Sequence, residues 1–281
     1  MLINIKGFLS DLSNPVVMGI LNVTPDSFFE GSRCQTEAKI GHRAEEIIRQ
    51  WATIIDVGGY STRPGAKDVT EDEELKRVTF AIEIIRNYFP DMPVSIDTFR
   101  ARVAKEAVSN FGASIVNDIS GGELDKEMFQ TVAALNTPYI LVHSKGMPQN
   151  MQQNTGYTDF IPEIFRYFAE KMDQLKLLGV NDIILDPGFG FAKTLEQDYV
   201  LLARMNLFSV FGLPVLAGIS RKRMVWQLLG TSPAESLNGT SVLNTLALQQ
   251  GANILRVHDV KEAVEAVKLF GKYNKMNSYA I

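Results

Sequence analysis

Apolar residues along the chain fall into short runs that alternate with longer amphipathic stretches. The short runs are apolar nearly throughout, as in "TIIDVGG" (53–59) and "DIILDPG" (182–188), which is typical of strands in a parallel sheet buried on both faces. The stretches 37–51, 71–89 and 159–179 instead place apolar residues three and four positions apart, which predicts amphipathic helices. The predicted strands are 15–23, 53–59, 93–98, 114–120, 138–143, 182–188, 214–220 and 252–258.

Eight strand–helix units at a period of about 34 residues predict an α/β fold with one domain over residues 1–281, a single (β/α)8 TIM barrel. An open, doubly wound sheet is the main structural alternative. Such sheets typically have five or six strands and a glycine-rich phosphate turn after the first strand. The first turn here reads "NVTPDSF" and lacks those glycines. Residues 1–14 precede the first unit, and we expect this extension to cover the bottom of the barrel.

Composition and charge exclude several classes of protein. The 281 residues are 46% hydrophobic and 21% charged, as in ordinary globular proteins. Without a run of about 18 apolar residues or a secretory signal pattern, we expect a soluble cytoplasmic protein with no membrane partner. A net charge of -4 with mixed signs argues against a general nucleic-acid-binding surface. The single cysteine, Cys34, excludes an intrachain disulfide.

The carboxyl ends of all eight predicted strands are polar. In a (β/α)8 barrel these ends meet at one rim, where the chemistry takes place. One polar residue at a strand end is as often a helix cap or a turn former. Eight such ends favour a ligand pocket, because buried polar groups need partners. The residues concerned are Asn22, Asp26, Asp56, Asp97, Asn117, Asp118, His143, Lys145, Asp186, Ser220, Arg221, Lys222, Arg256 and His258.

The predicted pocket divides by charge. Its carboxylates and amide come from neighbouring middle strands: Asp97, Asn117 and Asp186. Its cations and a histidine come from the second loop and the last two strands, beside Asn22: Arg63, Lys222, Arg256 and His258. Carboxylates suit a flat heterocycle rich in N–H donors, whereas arginines and histidine suit phosphate oxygens. The sequence therefore predicts a nitrogen heterocycle attached to a phosphate or diphosphate as the ligand.

Seven segments resemble the dihydropteroate synthase family, in the same order and over nearly the whole chain: "GILNVTPDSF", "DVGGYSTRPGA", "SIDT", "NDISG", "ILDPGFGFAKT", "GISRK" and "RVHDV". The resemblance implies a transferase of folate biosynthesis. Its reaction condenses 6-hydroxymethyl-7,8-dihydropterin diphosphate with p-aminobenzoate to give 7,8-dihydropteroate and diphosphate. The resemblance further implies these two small-molecule substrates as partners, a magnesium ion (Mg2+) as cofactor, sulfonamides as inhibitors, and a homodimer.

The resemblance also implies a role for each matching residue. The pterin would be bound by Asp97, Asn117, Asp186 and Lys222. The diphosphate would be bound by Asn22, Arg63, Arg256 and His258, with Asn22 also binding the metal. p-Aminobenzoate would be bound by Thr62, Arg63, Pro64, Phe191, Ser220 and Lys222. Catalysis would depend on Asp97, Asp186, Lys222, Arg256 and His258, which stabilise charge without a covalent nucleophile. Residues 24–33 would form a mobile loop over the site.

Three residues depart from the common wording of the family. Tyr60 stands where glutamate is frequent, Ser144 where methionine is frequent, and Arg223 where serine is usual. We expect Arg223 to be a solvated residue at the start of a helix.

Two rival functions share the barrel and the pterin-facing residues. One is a methyltransferase of the methyltetrahydrofolate and corrinoid type, which does not require the diphosphate-binding residues. The other is a non-catalytic pterin-binding barrel, which would have lost them. The predicted diphosphate set argues against both.

Overall fold

Eight parallel strands form a closed barrel in the computed structural model of the chain, which describes residues 1–5, 7–24, 33–61, 68–147 and 151–278. An antiparallel N-terminal hairpin of β1 (Leu2–Ile5) and β2 (Phe8–Asp11) precedes the barrel. The eight barrel strands are β3 (Val16–Asn22), β4 (Ile54–Gly58), β5 (Val94–Asp97), β6 (Ile115–Asp118), β7 (Tyr139–Val142), β8 (Ile183–Asp186), β9 (Leu216–Ala217) and β10 (Ile254–Val257). In the barrel, hydrogen-bonded neighbours follow the order β8, β7, β6, β5, β4, β3, β10, β9. A parallel bridge between Leu185 and Val215 joins the two ends of that order. The predicted (β/α)8 barrel is confirmed, and the open sheet is excluded.

Helices surround the barrel and connect its strands. They are α1 (Arg33–Arg49), α2 (Glu71–Tyr88), α3 (Ala101–Ser109), α4 (Met128–Leu135), α5 (Phe160–Leu177), α6 (Leu195–Ala203), α7 (Arg223–Leu229), α8 (Leu237–Gln249) and α9 (Val260–Ser278), with short 3-10 helices at Met151–Gln153 and Met205–Phe211. Among the helices of the described residues, none combines the length and the apolar content that a membrane crossing requires.

Two apolar layers hold the barrel together. The side chains of β3 alternate between them, with Met18 pointing into the barrel and Val17 and Leu21 packing against the helices. Gly19 lies on the helix side of this strand. A Cβ at this position would lie 2.6 Å from Ile47 Cγ2 of α1, so the glycine allows α1 to pack closely on the sheet.

The N-terminal hairpin of β1 and β2 packs on the amino ends of the barrel strands. Ile3, Ile5 and Leu12 are buried in the cluster that fills the barrel interior. The backbone N–H of Asn4 donates to Asp182 Oδ1 at 2.9 Å, just before β8. This end of the barrel is therefore filled with apolar side chains, and the opposite end is left for polar groups.

Two helices that follow loops at the polar end begin with strong caps. Thr70 Oγ1 accepts from the backbone N–H of Glu73 at the start of α2, whose first turn is acidic. Thr194 and Gln197 form a reciprocal capping box at the start of α6. Caps of this kind fix where a helix begins, so they also fix the ends of the preceding loops.

Candidate active site

The carboxyl ends of β3 to β6 bring polar side chains to one mouth of the barrel. In the sheet register, Asn22 pairs with Gly58, Gly58 with Asp97, and Asp97 with Asn117. A Cβ at Gly58 would lie 3.3 Å from Asn22 Oδ1 and 3.5 Å from Asp97 Cβ. Gly58 therefore keeps open the space between the amide of β3 and the carboxylate of β5.

Arg256 of β10 reaches across this mouth to two carboxylates. Its Nε donates to Asp56 Oδ2 at 2.6 Å, and its Nη2 donates to Asp97 Oδ2 at 2.5 Å. Asp56 is fully buried, and its Oδ2 also accepts from Asn117 Nδ2 at 3.2 Å. One guanidinium thus orients the Asp97 carboxylate directly and the Asn117 amide through Asp56.

The same contacts change the acidity of these groups. Burial raises the pKa of the Asp97 carboxyl, Arg256 opposes this rise, and the Asp56 carboxylate adds to it. Burial alone would lower the pKa of Arg256, but the carboxylates of Asp56 and Asp97 hold it above its ordinary value. The guanidinium therefore stays charged, and the two carboxylates share it.

Asp186 ends β8 with one carboxylate oxygen held by the next turn. Its Oδ1 accepts from the backbone N–H of Gly188 at 2.8 Å. Burial raises the pKa of the Asp186 carboxyl, while Lys222 and the Gly188 N–H oppose the rise. A Cβ at Gly218 would lie 3.8 Å from the other oxygen, Oδ2. Within the described part of the chain, Oδ2 accepts no hydrogen bond, so it is the oxygen available to a ligand.

Lys222 brings an ammonium to the same region. Its Nζ donates to Phe189 O at 2.5 Å and lies 4.1 Å from the ring centroid of Phe191. The Cβ position at Gly218 is 3.8 Å from Lys222 Nζ as well as from Asp186 Oδ2. Burial lowers the pKa of Lys222 to about 8, with Asp186 opposing the change. A carboxylate, an ammonium and an aromatic ring therefore line one wall of the mouth.

Ser220 and His258 meet on the neighbouring wall. Ser220 Oγ lies 3.2 Å from His258 Nδ1 and accepts from the His258 backbone N–H at 3.1 Å. Arg43 of α1 donates from Nη2 to His258 O at 2.6 Å. The backbone of His258 is therefore held by contacts with two other segments.

Several predicted site residues lie outside the described residues: Asp26, Thr62, Arg63 and Pro64. The base of the second loop is nevertheless described. Tyr60 OH donates to Asp68 Oδ1 at 3.1 Å and so joins the two sides of 62–67. The Tyr60 ring packs edge-on against Phe99 with centroids 5.1 Å apart. Burial and the bond to Asp68 raise the pKa of Tyr60 to about 12, so its hydroxyl remains a donor at neutral pH.

A buried ion pair connects the same loop base to β5. Glu74 is fully buried, and its carboxylate accepts from Thr98 Oγ1 at 2.6 Å and from Arg100 Nη1 at 2.5 Å. Arg100 Nη2 in turn donates to Val69 O at 2.7 Å. Thr98 follows Asp97 directly in the chain. The far end of the second loop is therefore tied to the strand end that carries Asp97.

The residues present fit a magnesium ion that arrives with a phosphate. Asn22 offers an amide oxygen at the mouth, next to the open space above Gly58. Across the described ranges, His, Cys, Asp and Glu side chains form no group of three or more that could hold a metal ion. Magnesium prefers oxygen ligands and keeps several waters, so one amide oxygen together with phosphate oxygens is a suitable set.

The predicted division of the pocket by charge is wrong for two cations. Arg256 lies between Asp56 and Asp97, and Lys222 approaches Asp186. Both are therefore inside the acidic part of the mouth. The physical reason is that buried carboxylates need counter-charges in the same low-dielectric region.

Not every polar strand end faces the mouth. The Asp118 carboxylate accepts from the Ser120 backbone N–H at 2.7 Å and from Tyr139 OH at 2.7 Å. Lys145 forms an ion pair with Glu163 at 3.1 Å and lies over the Tyr157 ring. Because successive side chains of a strand point to opposite faces, Asn117 points into the mouth while Asp118 points towards the helices.

The sequence predicts no role for two buried charged residues at or behind the mouth, Asp56 and Lys193. Asp56 belongs to the predicted polar strand ends, and that position is the signal for its contact with Arg256 and Asn117. Lys193 belongs to "GFGFAKT" and is fully buried, with its Nζ bonded to Gly188 O and Phe191 O at 2.9 and 3.0 Å. A lysine in a glycine-rich turn carries no sequence signal of burial.

Two of the residues that differ from the common family motifs, Ser144 and Arg223, form contacts with other segments. Ser144 is buried, and its Oγ lies 3.7 Å from the sulfur of Met151, so a methionine from the following 3-10 helix lies close to this position. Arg223 begins α7, but its Nη2 donates to Lys193 O at 2.9 Å. The expectation of a merely solvated arginine is therefore wrong, because this side chain bonds to the segment after β8.

The chain is similar to known proteins in both sequence and structure. The family of pterin binding enzymes matches residues 18–258. The dihydropteroate synthase of Escherichia coli (strain K12) is 44% identical over 266 residues, which is 94% of this chain and 93% of that protein. The Yersinia pestis dihydropteroate synthase in complex with a sulfonamide drug has a TM-score of 0.90 at 40% identity, covering 98% of this chain and 100% of that one. The Xanthomonas albilineans dihydropteroate synthase with 4-aminobenzoic acid has a TM-score of 0.89 at 34% identity, covering 97% and 98%. Because the matched residues include the whole mouth from Asn22 to His258, the chain belongs to the dihydropteroate synthase family of pterin-binding enzymes and is a transferase of folate biosynthesis.

Proposed function

We propose that this mouth binds the pterin of 6-hydroxymethyl-7,8-dihydropterin diphosphate against Asp97, Asn117, Asp186 and Lys222. The observation that carries the proposal is the convergence of the half-buried Asp97 carboxylate, the buried Asp186 carboxylate and the Asn117 amide on one opening, with Asp186 Oδ2 free of hydrogen bonds within the described residues. A pterin edge presents adjacent N–H donors, and a carboxylate accepts such donors in charge-assisted hydrogen bonds. Lys222 provides a donor for a ring acceptor.

The diphosphate is proposed to bind at Asn22, Arg63, Arg256 and His258. Arg256 forms ion pairs with Asp97 and Asp56. N–H donors of the pterin compete for Asp97, so their binding makes part of the guanidinium available to phosphate oxygens. Asn22 would hold the magnesium ion, which when bound helps to neutralise the charge that develops on diphosphate.

The second substrate, p-aminobenzoate, is proposed to lie beside Phe191, Ser220 and Lys222, with Thr62, Arg63 and Pro64 as its further contacts. The 4-aminobenzoic acid and the sulfonamide drug named with the two related structures support this second site and sulfonamide inhibition of this chain. The Phe191 ring and the Lys222 ammonium, 4.1 Å apart, offer an apolar face and a cation to an aromatic acid.

The chemistry proposed for these residues is stabilisation of charge. The bond between the pterin methylene carbon and the diphosphate oxygen breaks, and Arg256 and His258 favour the departing anion. Asp97 and Asp186 favour the positive charge that remains on the pterin. The arylamine nitrogen of p-aminobenzoate then bonds to the methylene carbon and loses a proton. No side chain has to form a covalent intermediate.

A homodimer is also proposed, in which two copies cover an apolar face of α7 and α8. Large apolar side chains are exposed there: Leu228, Leu229, Val242 and Leu246. An uncovered apolar face of this kind is typical of a protein–protein contact. A molar mass of one chain in light scattering would contradict the dimer. The cytoplasmic location stays a prediction from the sequence.

The experiment that tests the function is an assay of diphosphate release. Release should require both substrates and should fall to background when either one is omitted. Release with the pterin substrate alone would indicate hydrolysis, and the absence of release with both would contradict the proposed condensation.

A further inference from the structure

Lys193 is fully buried, although it lies only seven residues after Asp186 at the end of β8. Its ammonium has three N–H donors and three close acceptors. These are Gly188 O at 2.9 Å, Phe191 O at 3.0 Å and His143 Nδ1 at 2.9 Å. A buried ammonium is costly unless each of its donors is satisfied, so this set of acceptors is a specific arrangement.

The segment from Gly188 to Phe191, named here the β8 turn, carries the contacts of the pterin wall. The Gly188 N–H fixes Asp186 Oδ1 at 2.8 Å. The Phe189 carbonyl accepts from Lys222 Nζ at 2.5 Å, and the Phe191 ring lies under the same ammonium. The turn therefore has two carbonyls directed inward to Lys193 and one directed to Lys222.

The shape of the β8 turn leaves little room for rearrangement. Gly188 has a φ of +71°, and a Cβ at this residue would lie 1.9 Å from the carbonyl oxygen of His143. The turn is thus packed directly against the end of β7. The Gly188 carbonyl also accepts from the backbone N–H of Phe191 at 3.0 Å, so Lys193 Nζ is its second donor. Removal of the ammonium would take the side-chain donor from the partly buried Phe191 carbonyl and one of two donors from Gly188, so the turn would have a reason to reorient.

We propose that Lys193 is the positioning residue of the pterin site: by binding the inward carbonyls of the β8 turn, it sets the placement of Asp186, Lys222 and Phe191. The proposal rests on the proposed pterin-binding role of this wall. Lys193 is not a catalytic residue, since its side chain has no exposed surface and does not reach the mouth.

Burial and the neighbouring charges bring the pKa of the Lys193 ammonium close to neutral pH. Burial lowers its pKa to about 7, while Asp198 and Asp186 oppose the change and Lys222 and Lys145 add to it. Burial and the charge of Lys193 lower the pKa of His143, so its neutral ring can accept at Nδ1. Loss of the proton from Lys193 removes one of its three donors.

The test compares Lys193→Met, which removes all donors at similar length, with Lys193→Gln, which retains two. Affinity for the unphosphorylated pterin alcohol is measured by calorimetry, and thermal midpoint is measured on the same samples. We expect Lys193→Met to keep or raise the thermal midpoint, because an apolar side chain replaces a buried charge, and to weaken pterin binding at least about tenfold. Lys193→Gln should fall between Lys193→Met and the wild type.

The matched control is Lys171→Met, since Lys171 of α5 is also largely buried but pairs with Glu123, which lies between β6 and α4. Its pterin affinity should equal that of the wild type. Wild-type pterin affinity in a folded Lys193→Met protein would overturn the proposal. If Lys193→Met does not fold, Lys193→Gln decides by the same criterion, and failure of both to fold would overturn the proposal by making Lys193 a folding residue. Absence of pterin binding in the wild type would instead contradict the proposed function.

Discussion

Replacement of Asp186 by asparagine is the sharpest test of the pterin site, because the structure fixes how the new side chain must lie. Asp186 Oδ1 accepts the Gly188 N–H at 2.8 Å. An amide NH2 cannot take that position, since it would face another donor. The asparagine therefore has to keep its oxygen at Gly188 and direct its NH2 to the place of Oδ2, where the pterin is expected to donate.

The expected loss follows from the contacts. A charge-assisted hydrogen bond contributes about 1.5–3 kcal/mol, and Asp186→Asn replaces at least one such bond with two donors facing each other. A loss of about 2.7 kcal/mol corresponds to about a hundredfold weaker binding. We therefore expect the affinity for the unphosphorylated pterin alcohol, measured by calorimetry, to fall at least about a hundredfold.

The thermal stability of Asp186→Asn should not fall together with its affinity for the pterin. Burial raises the pKa of Asp186 in the folded chain, so between its ordinary pKa and the raised one the native state binds more protons than the unfolded state. Native stability therefore falls as pH rises through that window, and a neutral asparagine removes this cost. The thermal midpoint of Asp186→Asn at pH 7 should equal or exceed that of the wild type.

Asp118→Asn is the matched control, because Asp118 is an equally buried strand end that bonds to Ser120 and Tyr139. This change should lower the thermal midpoint and leave pterin affinity within about threefold of the wild type, since it breaks hydrogen bonds outside the mouth. Pterin affinity within threefold of the wild type in Asp186→Asn would refute the reasoning and remove Asp186 from the site.

Three further predictions concern the charge network and the loops. Arg256→Ala should slow single-turnover chemistry more than it weakens binding of the pterin alcohol, and equal losses of rate and affinity would contradict this. Because Arg256 opposes the rise in the pKa of Asp97, the same change should raise that pKa further. The loss of pterin binding on acidification should then begin at a higher pH. Tyr60→Phe, which removes the bond to Asp68, should raise the KM for p-aminobenzoate about fivefold with kcat unchanged, and an unchanged KM would contradict a role in loop placement. Calorimetry should detect p-aminobenzoate binding only after diphosphate and magnesium are bound, and comparable affinity without them would contradict ordered binding.

The order of strands and helices was predictable because the physical constraint acts on each segment separately. A strand buried on both faces must be apolar over its whole length, and β4 and β8 fall within the predicted strands 53–59 and 182–188. The convergence of strand ends follows from parallel topology once eight units are counted. These inferences need no knowledge of which side chains touch.

The direction of each polar side chain required the structure. Neighbours in sequence such as Asn117 and Asp118 go to opposite faces, and a shift of one residue in the expected end of β6 exchanges their roles. The sequence could place both at a strand end, but it could not say which one meets a ligand.

The sequence could not predict which cation pairs with which carboxylate, for a different reason. The pairing depends on which charged groups are buried without another partner. Asp56 and Asp97 come from adjacent strands, and a buried and a half-buried carboxylate so close together require a cation. Arg256 supplies it from β10, about 200 positions from Asp56 along the chain. In the same way, the carbonyls of the β8 turn are satisfied by Lys193. Arg256 and Lys193 are both cations near strand ends in the sequence, but their roles in the structure differ. Arg256 forms ion pairs with Asp56 and Asp97 at the mouth, whereas Lys193 is fully buried behind the mouth and binds backbone carbonyls.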